Sequence, residues 1–178
     1  ALHAAGVTDV VAVAAVGGIR GDLPPGALAV PDQIIDYTHG RHSTFSTRSS
    51  HPVTHIDFTR PYCEAMRRRL LDAAAAAGET LVDGGTYAAT QGPRLETAAE
   101  IDRLERDGAH MVGMTGMPEA ALAREIGLRY AAVAVVVNHA AGRGDSSEAI
   151  HLDQINAVLK ASMVKVRSLL EKLVESDD

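Results

Sequence analysis

Apolar residues in this chain gather into short dense runs that alternate with stretches of helical period. Val7 to Val16 is almost continuously apolar and β-branched and closes on Gly17-Gly18. Such a run predicts a strand buried on both faces, as in a parallel or mixed sheet. Two prolines and a glycine between Asp22 and Gly26 mark a turn, and Ala27 to Tyr37 reads as a second strand interrupted at Pro31. His39 to Val53 is polar and without period, and its length suggests a mobile functional loop rather than a plain connector. Arg60 to Ala77 reads as a helix with Pro61 in its first turn and Gly78 as its stop. Thr80 to Thr90 is a strand with a glycine kink, and Glu96 to Asp107 a helix whose inner face carries Ile101 and Leu104. A short strand at His110 to Met114, a short helix at Pro118 to Ile126 and a strongly apolar strand at Arg129 to Val137 follow. The chain closes with an amphipathic helix, Leu152 to Val174, in which Leu152, Ile155, Leu159, Val166, Leu170 and Leu173 lie near one stripe. Strands and helices alternate throughout, so the expected class is α/β in a single domain, 1–178.

Composition narrows the function. Nearly half of the 178 residues are apolar and the net charge is −6, a poor footprint for nucleic acid. No apolar run approaches a bilayer span, and the alanine-rich start lacks the basic region and cleavage site of a signal peptide. A cytoplasmic protein with no membrane partner is therefore expected. Cys63 is the only cysteine, so no internal disulfide forms, and its plainest reading is a free thiol on a helix. The first six residues read as the tail of a helix running straight into a strand, which suggests the later part of a longer protein.

Single motifs say little. There is no CxxC, HExxH or Walker loop, and the eight histidines show no metal-ligand spacing, so no metal is expected. Gly17-Gly18 after a strand suits a phosphate turn and equally a plain one. Glu96 suits a helix start, Met114 a core, and Asn138 a strand-end turn. Nothing matches GxGxxG after a strand, which argues against a nicotinamide-dependent oxidoreductase.

Together, longer motifs carry more. The segments Gly92-Pro93-Arg94-Leu95-Glu96-Thr97-Ala98-Ala99-Glu100-Ile101, Val112-Gly113-Met114-Thr115-Gly116-Met117-Pro118-Glu119-Ala120, Leu122-Ala123-Arg124-Glu125 and Asn138-His139-Ala140-Ala141-Gly142 resemble the trimeric purine nucleoside phosphorylase and methylthioadenosine phosphorylase family, in its order and spacing. Val13 to Gly18 is similar to the family's phosphate turn, and the resemblance runs from Ala1 to about Val174. Val53 to Phe58 and Thr115 to Glu125 look most like the branch acting on methylthioinosine. The resemblance implies a nucleoside phosphorylase fold, a mixed central sheet flanked by helices on both faces. It implies phosphorolysis of a purine nucleoside, with inorganic phosphate as co-substrate, no cofactor, and a homotrimer with active sites at subunit interfaces.

The resemblance also assigns residues. Ala14, Ala15 and Thr115 stand in the phosphate site, although Ala14 replaces the usual Asn or Thr. Gly17 and Met114 match substrate contacts, Met114 beneath the ribose, while Leu95 replaces an aromatic that faces the purine. Glu96 and Asn138 stand where 6-oxopurine phosphorylases grip the base edge. His55 would come from a neighbouring subunit to close the 5' side, and Leu152 and Ile155 would face a 5'-methylthio group. The family's N-terminal part, with a glycine-rich phosphate loop, an Arg-His pair and a further His, has no counterpart in these residues.

The resemblance also implies that Asn138 sets the substrate preference. An aspartate there accepts from the amine of a 6-aminopurine, whereas an asparagine amide can donate to a 6-oxo group, and Ala140 removes a second aspartate. The expected substrate is thus methylthioinosine rather than methylthioadenosine. A methylthioadenosine or general purine nucleoside phosphorylase, or a non-catalytic nucleoside-binding relative, are the alternatives.

Overall fold

Seven strands form one mixed sheet in a computed structural model that describes residues 1–46 and 53–176. In chain order they are β1 (Asp9–Gly18), β2 (Leu28–Val30), β3 (Gln33–Asp36), β4 (Leu81–Asp83), β5 (Thr86–Ala89), β6 (Met111–Gly113) and β7 (Arg129–His139). The spatial order is β3-β5-β6-β1-β7-β2-β4. Among the described residues four α-helices accompany them, α1 (Glu64–Ala76), α2 (Ala98–Arg106), α3 (Glu119–Glu125) and α4 (Leu152–Glu175). No described helix is long and apolar enough to cross a membrane.

The centre is the parallel pair β1 and β7, the two most apolar runs of the chain. Side chains along a strand point alternately to the two faces. Ala132, Ala134 and Val136 of β7 pack with Ala14, Val16 and the α3 residues Ala120 and Ala123. Ala131, Val133, Val135 and Val137 pack instead with Met66 and Leu70 of α1 and Val166, Leu169 and Leu173 of α4. The period of two thus sets α3 on one face and α1 with α4 on the other, the two-sided architecture expected. Ile101 and Leu104 of α2 are buried with Ala88 and Val112, as their spacing predicts.

Several elements differ from their sequence readings. Ala27 to Tyr37 is two strands, because Pro31 ends β2 beside β7 and the chain resumes as β3 at the far edge of the sheet. Thr80 to Thr90 likewise divides at Gly84 and Gly85, whose φ values of 85° and 125° turn the chain from one side of the sheet to the other. α1 begins at Glu64 after Cys63, so Pro61 precedes the helix instead of opening it. Glu96 lies before α2, which is capped by Thr97. Of the polar loop His39 to Val53, residues 47–52 lie outside the described residues.

β1 is not buried on both faces. Val13 is 40% exposed and Ala15 is exposed, although β1 is the central strand. Among the described residues, its edge toward β6 is paired only at Gly17 and Gly18. The open stretch of that edge ends where the phosphate residues were expected.

Candidate active site

β6 runs antiparallel to β1, with Gly17 opposite Val112 and Gly18 opposite Met111. The ladder stops there, so Ala14-Ala15 and Met114-Thr115 lie just beyond it on facing chains. They are held close at one point: a Cβ on Gly113 would stand 3.3 Å from the Ala15 carbonyl oxygen and would collide with the Tyr87 hydroxyl. Thr115 is exposed, donates its N–H to that hydroxyl over 3.2 Å, and sets its Oγ1 3.1 Å from it. The candidate phosphate residues Ala15 and Thr115 are therefore brought near one another, at a split in the sheet where this edge of β1 has no strand partner among the described residues.

β5 builds the second wall. Thr90, the residue after it, donates from Oγ1 to Glu96 Oε1 at 2.6 Å, with the Gly113 carbonyl 3.3 Å away. That bond fixes the Glu96 carboxylate against β5 and β6. The next residues form a capping box: Glu100 N–H donates to Thr97 Oγ1 at 3.1 Å, and Thr97 N–H donates to Glu100 Oε2 at 2.8 Å. Arg94 grips the same Glu100 through two 2.8 Å bonds, and the arginine beside it holds the Glu100 carboxyl down at about 2. Leu95 and Glu96 thus stand between two anchors. Met114 lies against Gly92, where any Cβ would collide with its sulfur.

β7 supplies the third side. Its register with β1 slips between Val16 and Gly17, so Asn138 stands opposite Gly17. Asn138 is half-buried and donates one amide hydrogen to the His139 carbonyl at 2.6 Å, leaving its second amide hydrogen and its carbonyl oxygen. Ala140 packs on Gly17, and Gly142 on Ala98, drawing the segment after β7 onto the start of α2. A cavity of about 350 Å³ opens there, lined by Leu95, Glu96, Ala98, Ala141, Gly142 and Ile150. A second, of about 400 Å³, lies on the other side of Glu96, between His39, Gln91 and Arg94. Asn138 lines neither cavity.

The remaining candidates are not gathered here. His55 is exposed and outside both cavities. Ile155 packs against the α1–α4 core, while Leu152 at the start of α4 is 65% exposed. Among the described residues no group of three His, Cys, Asp or Glu is placed to hold a metal.

Three polar residues of the site escaped sequence reasoning. Tyr87 and Thr90 look like ordinary strand residues until β6 is laid beside β5. Arg41 lies in the polar loop, yet its guanidinium donates to the carbonyls of Met114 and Met117 (3.1 and 2.5 Å) and of Thr90 and Gln91 (3.3 and 3.2 Å). One cation thereby ties the two site-forming turns together. Nothing local to Arg41 in the sequence names these carbonyls, which lie 49 to 76 residues away along the chain.

Comparison with known proteins settles the family. The phosphorylase superfamily model matches residues 1–175. The chain belongs to the phosphorylase superfamily. It is 52% identical over 176 residues to a probable S-methyl-5'-thioinosine phosphorylase of Pseudomonas syringae pv. tomato, covering 99% of this chain and 71% of that one. It is 41% identical to the 6-oxopurine nucleoside phosphorylase of Pyrococcus furiosus, covering 96% of this chain and 66% of the relative. Methylthioadenosine phosphorylase from Schistosoma mansoni, solved in complex with adenine, superposes with a TM-score of 0.90 at 31% identity, covering 98% of this chain and 67% of that one. The nucleoside phosphorylase fold and the resemblance to methylthioinosine phosphorylases are both borne out. The chain spans roughly two thirds of the length of these phosphorylases.

Proposed function

We propose that the protein to which this chain belongs cleaves S-methyl-5'-thioinosine with inorganic phosphate, releasing hypoxanthine and 5-methylthioribose 1-phosphate. The observation that carries this reading is the convergence of Ala15 and Thr115 at the split between β1 and β6, with Asn138 across β1 at the register slip. Phosphate accepts hydrogen bonds from the Thr115 hydroxyl and the Ala15 amide and attacks C1' of a ribose resting on Met114. As the glycosidic bond opens, charge develops on the purine, and a donor at its 6-oxo edge is worth more in the transition state than before it. Asn138 supplies that donor and Glu96, held by Thr90, faces the base edge beside it. Leu95 covers the purine with aliphatic surface, and Gly17 admits it closely. No cofactor enters the reaction, and no nucleic acid or membrane is a partner.

The rest of the reading concerns the assembly. His55, Leu152 and Ile155 complete the 5' side of the site, His55 in a neighbouring copy of a cytoplasmic homotrimer. Ala14 brings no side chain to the anion, and the shorter span relative to the phosphorylases compared leaves room for further anion-binding groups. The open edge of β1, from Asp9 to Val16, is the place where such a segment would lie beside Ala14 and Ala15.

The test is base release by the full-length protein from methylthioinosine, methylthioadenosine and inosine, with and without phosphate. Phosphate-dependent hypoxanthine release, fastest from methylthioinosine, is the expected outcome. Faster release from methylthioadenosine, or release indifferent to phosphate, would overturn the proposal.

A further inference from the structure

Tyr87 lies at the back of the phosphate turn and nothing in its sequence neighbourhood marks it for a role. It is 1% exposed. Its hydroxyl fills the space left by Gly113, and its ring lies 3.5 Å from where a Gly116 Cβ would be. Both polar partners of the phenol belong to one residue, the Thr115 N–H at 3.2 Å and Thr115 Oγ1 at 3.1 Å.

The direction of the second bond follows from counting hydrogens. A phenol carries one hydrogen and accepts through its lone pairs. The Thr115 N–H already donates to it. Were the Thr115 hydroxyl to donate as well, the buried phenolic hydrogen would have no acceptor among the described residues, which is costly. With the phenol donating to Oγ1, every group is satisfied. Thr115 then has its own hydrogen free to turn to the exposed side. The opposite arrangement would present Thr115 lone pairs to an incoming anion.

We propose that Tyr87 is a positioning residue that fixes the Thr115 hydroxyl as a hydrogen-bond donor toward inorganic phosphate, an inference that rests on the assignment of Thr115 to the phosphate site. Tyr87 touches neither phosphate nor nucleoside and acts through Thr115 alone. Burial raises its pKa above the ordinary tyrosine value, so the phenol stays protonated, and a donor, across the neutral range.

The two assignments are separable by phosphate and nucleoside KM measured on the full-length protein. Thr115→Val is expected to raise the phosphate KM by about tenfold or more, and Tyr87→Phe, which keeps the ring, by roughly 3- to 10-fold. In Tyr87→Phe the methylthioinosine KM should stay within about twofold of wild type, a split that a loosened sheet would not produce. The double variant should bind phosphate no more weakly than Thr115→Val, since Tyr87 has no effect except through that hydroxyl. A normal phosphate KM in Thr115→Val sinks the phosphate-site assignment itself. A raised KM there beside an unchanged one in Tyr87→Phe overturns only the role of Tyr87, as does an equal rise for both substrates. Should Tyr87→Phe lose its cooperative melting transition, Tyr87→Met, an unbranched side chain without a hydroxyl, is measured in its place and judged by the same split.

Discussion

Asn138 owes its place to a one-residue slip in the β1–β7 register, which sets it opposite Gly17. One of its amide hydrogens is bound to the His139 carbonyl, so the amide has one donor and one acceptor left. Asn138→Asp replaces that donor by an acceptor and should shift the methylthioinosine to methylthioadenosine ratio toward the amino base by about 10- to 100-fold, since an unpaired polar edge costs about 1–3 kcal/mol. Relative kcat/KM for the two nucleosides checks it, and unchanged selectivity would sink the assignment. At this scale the sequence was legible only through long motifs. Glu96, Met114 and Asn138 each have a plain structural reading when taken singly. Thr90, Tyr87 and Arg41 stayed invisible because each has a partner in β6 or the turn after it, 23 to 76 residues away along the chain.

Among the elements, α2 bears most directly on the site, because its N-terminal cap sets where Leu95 and Glu96 stand. Thr97 and Glu100 satisfy each other's backbone N–H groups, and Arg94 closes the cluster. Thr97→Ala should lower stability by about 1 kcal/mol, a melting-temperature loss of about 2–4 °C for a chain of this size. The Glu100 carboxyl is held at about 2 by Arg94 and the Thr97 N–H, against an ordinary value of 4.5. Its folded pKa is depressed, so the stability it contributes is fully present above about pH 4.5 and is lost as pH falls toward 2. Glu100→Gln should therefore melt below wild type at pH 6 and close to it near pH 2, as thermal unfolding at the two values would reveal. A constant gap would show that the charge is immaterial. The pattern of this region was readable, since Ile101 and Leu104 are buried as their spacing predicts. The strands were harder. Pro31 and the Gly84-Gly85 pair look like blemishes within single strands, but each carries the chain from one part of the sheet to another. Period alone cannot distinguish a kink from a crossover, because the flanking residues are apolar in both cases.

For the whole molecule, the decisive question is whether one copy contains a complete site. His55 is exposed and lines neither cavity beside Glu96, and Leu152 projects from α4 at 65% exposure. Closed homo-oligomers bring such residues into a neighbour's site through a symmetry axis. If His55 acts across a trimer interface, then His55→Ala and Asn138→Ala damage opposite sides of different contacts. Each variant alone spoils every site. In a mixed trimer, a subunit with intact Asn138 can meet a neighbour with intact His55, and equal random mixing restores about a quarter of the sites. Co-expression of the two variants should thus recover methylthioinosine phosphorolysis to roughly that fraction of wild type, while a blend of separately assembled, non-exchanging variants stays inactive. Were His55 to serve its own subunit, every Asn138-intact subunit would lack it, and co-expression would recover nothing. The measurement separates a shared site from a self-contained one without depending on which purine is preferred, because both variants are read against the same wild-type rate.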